Sequence, residues 1–138
     1  MNKIYLLVFI LLSLPAFGQQ SEVLNQLDAR ADFYGDIARQ IWANPELGYL
    51  ETNSSALLQK TLAEAGFKVT AGVADIPTAF VAEYGSGKPV IGIMAEFDAL
   101  PGVSQEAVPF RKAVIEGGAG HACGHHLFGA ASVASGIA

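Results

Sequence analysis

"VIGIMAEF", Val90–Phe97, is the stretch on which the fold turns. It is an almost unbroken apolar run rich in β-branched residues, and the turn-forming "GSGKP" (Gly85–Pro89) leads into it. Apolar residues on both faces of a strand suit a sheet covered by helices on both sides, so the run predicts an α/β fold. Side chains alternate along a strand, which puts Glu96 and Asp98 on the same side at its carboxyl end. Carboxyl ends of strands are where open α/β sheets bind ligands. For Glu96 the plainer alternative is a solvated strand end, and for Asp98 a turn cap.

Upstream, "FKVTA" (Phe67–Ala71) and "TAFVAEY" (Thr78–Tyr84) alternate as short strands. Two helices precede them. In the first, Leu24, Leu27, Ala31, Tyr34, Ala38 and Ile41 recur at three- and four-residue steps with Asp28, Asp32, Asp36 and Arg39 opposite, and Pro45 ends it. The second covers "SSALLQKTLAEAG" (Ser54–Gly66), with Asn53 or Ser54 as N-cap, Leu58, Leu62 and Ala65 facing inward, and Gly66 as C-cap.

Downstream, "PGVSQEAVPFRKAVIEGGAG" (Pro101–Gly120) has no sustained period and predicts a long functional loop. It delivers the chain to "GHACGHHLFG" (Gly120–Gly129), which holds all three histidines, His121, His125 and His126, and the only cysteine, Cys123. Thiolate and imidazole suit zinc or a similar borderline ion, and the glycine between Cys123 and His125 lets both side chains face one centre. Glu96 and Asp98 can approach from the strand end, to bind the ion or to orient a histidine. His121 reads as structural or supporting. The small-residue stretch "LFGAASVASGIA" that follows predicts a tightly packed helix starting near Gly124 and running to Ala138 without a stop signal.

Composition narrows the classes. Met1–Gly18 has a cationic Lys3, an apolar run and small residues at Ala16 and Gly18, the pattern of a cleaved export signal, and the run is too short to span a membrane. Residues 19–138 are then about one domain. The formal charge of −5 becomes one unit more negative once Lys3 is removed, and its Lys and Arg are scattered, which argues against nucleic-acid binding. A lone cysteine in an exported chain has no internal disulfide partner. The expectation is a secreted or periplasmic protein with no membrane association once the signal is gone.

"MAEFDALPG" (Met94–Gly102) followed by "GHACGHH" (Gly120–His126), with "NPELGYLE" (Asn44–Glu51) upstream, resembles the amidohydrolase branch of metallopeptidase family 20. That branch includes hippurate hydrolases, auxin-conjugate hydrolases and p-aminobenzoyl-glutamate hydrolases, and the motifs match the last group best. The resemblance runs from about Leu27 to the end of the chain. It implies the N-terminal part of a dinuclear-metal aminopeptidase-like catalytic domain, with a mixed sheet and flanking helices, truncated before a lid domain. It implies two divalent ions, zinc or manganese, with Cys123 and His125 as ligands, Asp98 in support, and Glu96 where distant relatives have a metal-binding His. Many relatives carry Asp or Asn where this chain has His126, so the role of His126 stays open between metal, substrate and neither. Glu46 and Glu51 belong to a structural signature.

The implied reaction is hydrolysis of the amide bond of an N-acyl or N-aroyl amino acid or a small peptide, with a Glu as general base that is not present in this chain. The resemblance also implies a homodimer formed through the lid domain. With too few strands to cover "VIGIMAEF" and too few ligands for two ions, residues 19–138 are expected to be an incomplete, inactive portion of a longer frame. Two rival readings remain: a small exported zinc-binding protein, and a non-catalytic relative that acts as a binding module.

Overall fold

In the computed structural model the element order is helix, helix, strand, strand, helix; the structure describes residues 21–138, and the stretch Met1–Gly18, expected from its sequence to be an export signal, lies outside them. Residues 33–137 form one compact unit, and residues 21–32 fall in a separate one. The first predicted helix is divided. Residues 21–29 are helical, a turn follows at Arg30, and α1 then spans Ala31–Ala43. The Arg30 amide bonds the Leu27 carbonyl at 3.1 Å, three residues back, which tightens the chain between the two helical stretches.

Tyr34, Ile37, Ala38 and Ile41 of α1 are buried, three and four residues apart, so one stripe of the helix faces the core. The helix stops at Ala43, before the Asn44–Pro45 pair, as the ban on helical geometry before proline requires. α2 spans Thr52–Glu64 and buries Leu58 and Leu62 as expected. Leu58 and Ile41 are the largest fully buried side chains. Ala65 is only half-buried, because it is the residue at which the helix ends, and Gly66 follows in the left-handed region with φ 92°.

The N-cap differs from the sequence expectation. Neither Asn53 nor Ser54 caps α2, since both lie inside its first turn. Instead the Glu46 carboxylate reaches across from the preceding loop, accepting from the Asn53 amide at 2.9 Å and the Ser54 amide at 2.8 Å. It also accepts from Asn53 Nδ2 and Ser54 Oγ, each at 2.8 Å. A remote carboxylate thus satisfies amides that the helix itself leaves unpaired.

β1 (Lys68–Ala71) and β2 (Phe80–Glu83) form an antiparallel pair in which Lys68 faces Glu83 and Ala71 faces Phe80. This is the two-stranded sheet among the described residues; α2 packs against both strands and α3 (His125–Ile137) packs against α2, in a mixed α/β arrangement. Buried polar side chains stitch α2 to the hairpin. Ser55 Oγ donates to the Thr78 carbonyl and Thr78 Oγ1 to Glu51, both at 2.6 Å.

"VIGIMAEF" does not join a sheet. Val90 and Ile91 are each 82% exposed and Met94 78%. The apolar run carries strand-like composition, but a strand exists only with a ladder partner, and none pairs with residues 90–97 among the described residues. Such exposure is what a doubly apolar run with too few neighbours is expected to show.

Pairing begins just past it. Ala99 bridges Leu47 in parallel, with its amide on the Glu46 carbonyl at 2.7 Å, and Leu100 bridges Gly120 through two bonds of 3.0 Å. This seam draws the Asn44–Glu51 loop, the carboxylate pair and the histidine cluster together.

Candidate metal centre

Glu96 and Asp98 are two residues apart on an unpaired stretch, and both carboxylates turn the same way, as alternation requires. His125 is the first residue of α3. Gly124, with φ 90°, bends the chain from the Cys123 loop into that helix through a conformation that side chains disfavour. The result sets His125 between the two carboxylates: Nδ1 lies 2.8 Å from Asp98 Oδ1 and Nε2 lies 2.9 Å from Glu96 Oε2. One ligand atom from each of the three residues falls within 4.8 Å of the others.

The donor chemistry is uneven. An imidazole with one proton donates once, yet both ring nitrogens of His125 meet an acceptor. Both contacts are hydrogen bonds only when the ring carries two protons. With one proton, a lone pair faces a carboxylate, and a cation shared by the two groups removes the conflict. Two hard oxygens and one imidazole nitrogen suit a divalent ion. The His125 side chain is 20% exposed against 54% for Glu96, so the histidine is the fixed member and Glu96 the one open to solvent.

Asp98 is held on its backbone side by the seam at Ala99. Gly48 lies beside it: a Cβ there would sit at ordinary contact distance, 3.9 Å from Asp98 Oδ2 and 3.9 Å from Glu51 Oε1. The Asn44–Glu51 loop therefore borders the centre while its own Glu side chains are occupied elsewhere, Glu46 on α2 and Glu51 on Thr78. Burial works to raise the Glu46 carboxyl, but the bonds from Asn53 and Ser54 outweigh it and hold the group below its ordinary value.

The remaining members of the cluster stand apart from the triad. Cys123 is a free, exposed thiol and is not one of the three residues whose ligand atoms converge. His121 Nε2 donates to the Ile41 carbonyl at 3.2 Å, which ties the cluster to the end of α1 and leaves Nδ1 as a bare acceptor. That Nδ1 and His126 Nδ1 are both buried without a hydrogen-bond partner among the described residues. The two rings lie 5.0 Å apart. Burial lowers the His121 pKa, the like charge of His126 adds to this, and the Ile41 carbonyl opposes it. Burial alone lowers that of His126.

Comparison with known proteins gives the same grouping as the motifs. No family model matches the chain. It is 46% identical over 113 residues to a p-aminobenzoyl-glutamate hydrolase subunit from Escherichia coli strain K12, across 81% of this chain and 24% of that protein. It is 38% identical over 103 residues to thermostable carboxypeptidase 2 of Saccharolobus solfataricus, across 73% of this chain and 25% of the relative. With hippurate hydrolase of Campylobacter jejuni it shares 32% over 99 residues, 72% of this chain and 25% of that one. The chain thus spans about a quarter of the length of the curated relatives it matches. By these likenesses, and by the motifs that meet around His125, the chain is similar to one part of the amidohydrolases that include p-aminobenzoyl-glutamate hydrolase and hippurate hydrolase.

Proposed function

We propose that this chain carries part of the metal-dependent centre of an exported amidohydrolase, which cleaves the amide bond of an N-acyl or N-aroyl amino acid such as p-aminobenzoyl-glutamate. The observation that carries the reading is His125 held between Asp98 and Glu96 at 2.8 and 2.9 Å, in a chain 46% identical to part of a p-aminobenzoyl-glutamate hydrolase. Export rests on the Met1–Gly18 pattern alone.

In this reading Asp98 accepts a hydrogen bond from Nδ1–H of His125, which fixes the ring's tautomer and orientation. Nε2 then presents its lone pair toward Glu96, and His125, with Cys123 two residues before it, would hold the ion. A divalent ion held there, zinc or manganese, would supply Lewis acidity for amide hydrolysis. Glu96, the more exposed carboxylate, is placed to complete the ion's shell or to meet the substrate side.

The test uses the full-length natural protein, with metal content measured by elemental analysis and hydrolysis followed on p-aminobenzoyl-glutamate and hippurate. Chelation should abolish turnover, and zinc or manganese should restore it. Turnover indifferent to chelation would overturn the metal reading. Bound metal without hydrolysis of any N-acyl amino acid would turn the assignment toward a metal-binding module. N-terminal sequencing of exported material should begin at about Gln19, and an intact Met1 would count against the signal.

A further inference from the structure

We infer that Gly129 and Ser132 are positioning residues that set how far His125 stands from the carboxylates of Glu96 and Asp98; the inference rests on the metal-centre reading above. Val90–Asp98 makes no backbone–backbone hydrogen bond among the described residues, so no ladder fixes the register of the stretch that carries both carboxylates. The seam at Ala99 holds its Asp98 end, and α3 holds the Met94–Glu96 part.

Ser132 Oγ donates to the Met94 carbonyl at 2.6 Å. At Gly129 the helix backbone comes so close that a Cβ would lie 3.1 Å from the Glu96 carbonyl, 3.2 Å from Phe97 Cβ and 3.3 Å from Leu58 Cδ1. His125, Gly129 and Ser132 are spaced by four and three residues, which places them on one face of α3. That face therefore grips the backbone of the carboxylate stretch at Met94 and Glu96 while its first residue meets the two carboxylates. A methyl at position 129 must push the helix or the stretch away by a few tenths of an ångström, which lengthens the contacts of His125. Loss of the Ser132 hydroxyl frees the Met94 end and widens the range of positions Glu96 samples.

The experiment titrates cobalt(II) into the metal-free full-length protein and records both affinity and the visible absorption of the bound ion. Ser132→Ala should lower cobalt affinity about tenfold, the size of effect seen when a partner that orients a ligand is lost, and shift the cobalt bands. Ser132→Thr, which keeps the hydroxyl, should return both to wild type. Gly129→Ala should weaken binding at least as much; if it does not fold, the two Ser132 variants decide. His125→Ala separates the two claims. Cobalt binding that survives His125→Ala sinks the metal-centre reading itself. Binding lost in His125→Ala but unchanged in affinity and spectrum in Ser132→Ala and Gly129→Ala overturns the inference alone. A Ser132→Ala protein with a lower thermal midpoint but a wild-type cobalt spectrum also overturns it, since that is the signature of packing without positioning.

Discussion

The Glu46 loop and the His125 centre are two carboxylate sites joined by one backbone seam, and they differ in how their hydrogen bonds add up. At Glu46 two carboxylate oxygens meet four donors, from Asn53 and Ser54, and every contact has a donor and an acceptor. At His125 one imidazole meets two carboxylates, and two further histidine nitrogens nearby have no partner among the described residues. A complete set of partners closes a helix end and leaves nothing to bind. An excess of acceptors is stable only if a proton or a metal ion joins them, so the imbalance is what supports the metal site proposed there.

His125→Ala attacks the unbalanced side directly and carries the largest expected effect. It removes the one nitrogen ligand of the triad, and bound metal should fall by more than the roughly 100-fold that marks loss of a supporting partner, with turnover falling alongside. Elemental analysis and rate measurement on the same sample check it. Full metal content in this variant would mean that the contrast between the two sites has no functional content.

Asp98→Asn is gentler, because the amide keeps the shape and can still accept from Nδ1 while the charge is lost. Metal affinity should drop about 10- to 100-fold with little change in thermal midpoint. A large loss of stability at unchanged specific activity would make Asp98 a turn cap, and would move it to the structural side of the comparison.

What the sequence disclosed follows from how local each feature is. Alternation alone places Glu96 and Asp98 on one side, and both indeed meet His125. The two short strands, the Leu58 and Leu62 face of α2 and the start of α3 beside Gly124 rest on patterns within a few residues, and these are found. Features that depend on distant partners escape such reading. The cap of α2 comes from Glu46, seven and eight residues before the amides it serves. The anchor of His121 is the Ile41 carbonyl, 80 residues away. Whether Val90–Phe97 is a strand depends on which chain lies beside it, and composition cannot supply that. The grip of α3 on Met94 and Glu96 had a faint sign in the small residues Gly129 and Ser132 on the face below His125, but helix packing in general leaves the same sign.

Glu46→Gln tests the balanced side. A glutamine offers one oxygen and an NH2 where two oxygens now accept, so one pair of donors meets a donor. Stability should fall by about 1 to 2 kcal/mol, as for loss of a helix cap, with metal binding unchanged. The pH dependence has a definite sign. Glu46 in the fold sits below its ordinary value of 4.5, so between the two values the unfolded chain binds the extra proton. The contribution is complete above 4.5 and is lost as pH falls through the folded value. Urea unfolding at descending pH should show the gap between wild type and variant closing in that window. A gap independent of pH would mean that the carboxylate charge plays no part in the cap.

His126→Asn carries the smallest expected effect and sharpens the comparison most finely, because His126 is adjacent in sequence to the triad yet stands outside it. Successive residues of a helix point about 100° apart, so His125 and His126 at the start of α3 are not directed at one centre. His126 instead packs against His121 with ring centres 5.0 Å apart, and burial keeps both rings toward the neutral form. Turned away, His126 supplies no ligand atom to the group of Glu96, Asp98 and His125. Asparagine keeps a polar atom near the ring nitrogen's place. Metal content should stay at the wild-type level, stability should change by less than about 1 kcal/mol, and turnover should shift by no more than a few-fold. Loss of a whole metal equivalent in this variant would show that the unpartnered nitrogens belong to the ion, and the boundary between His125 and its neighbour would have to move by one residue.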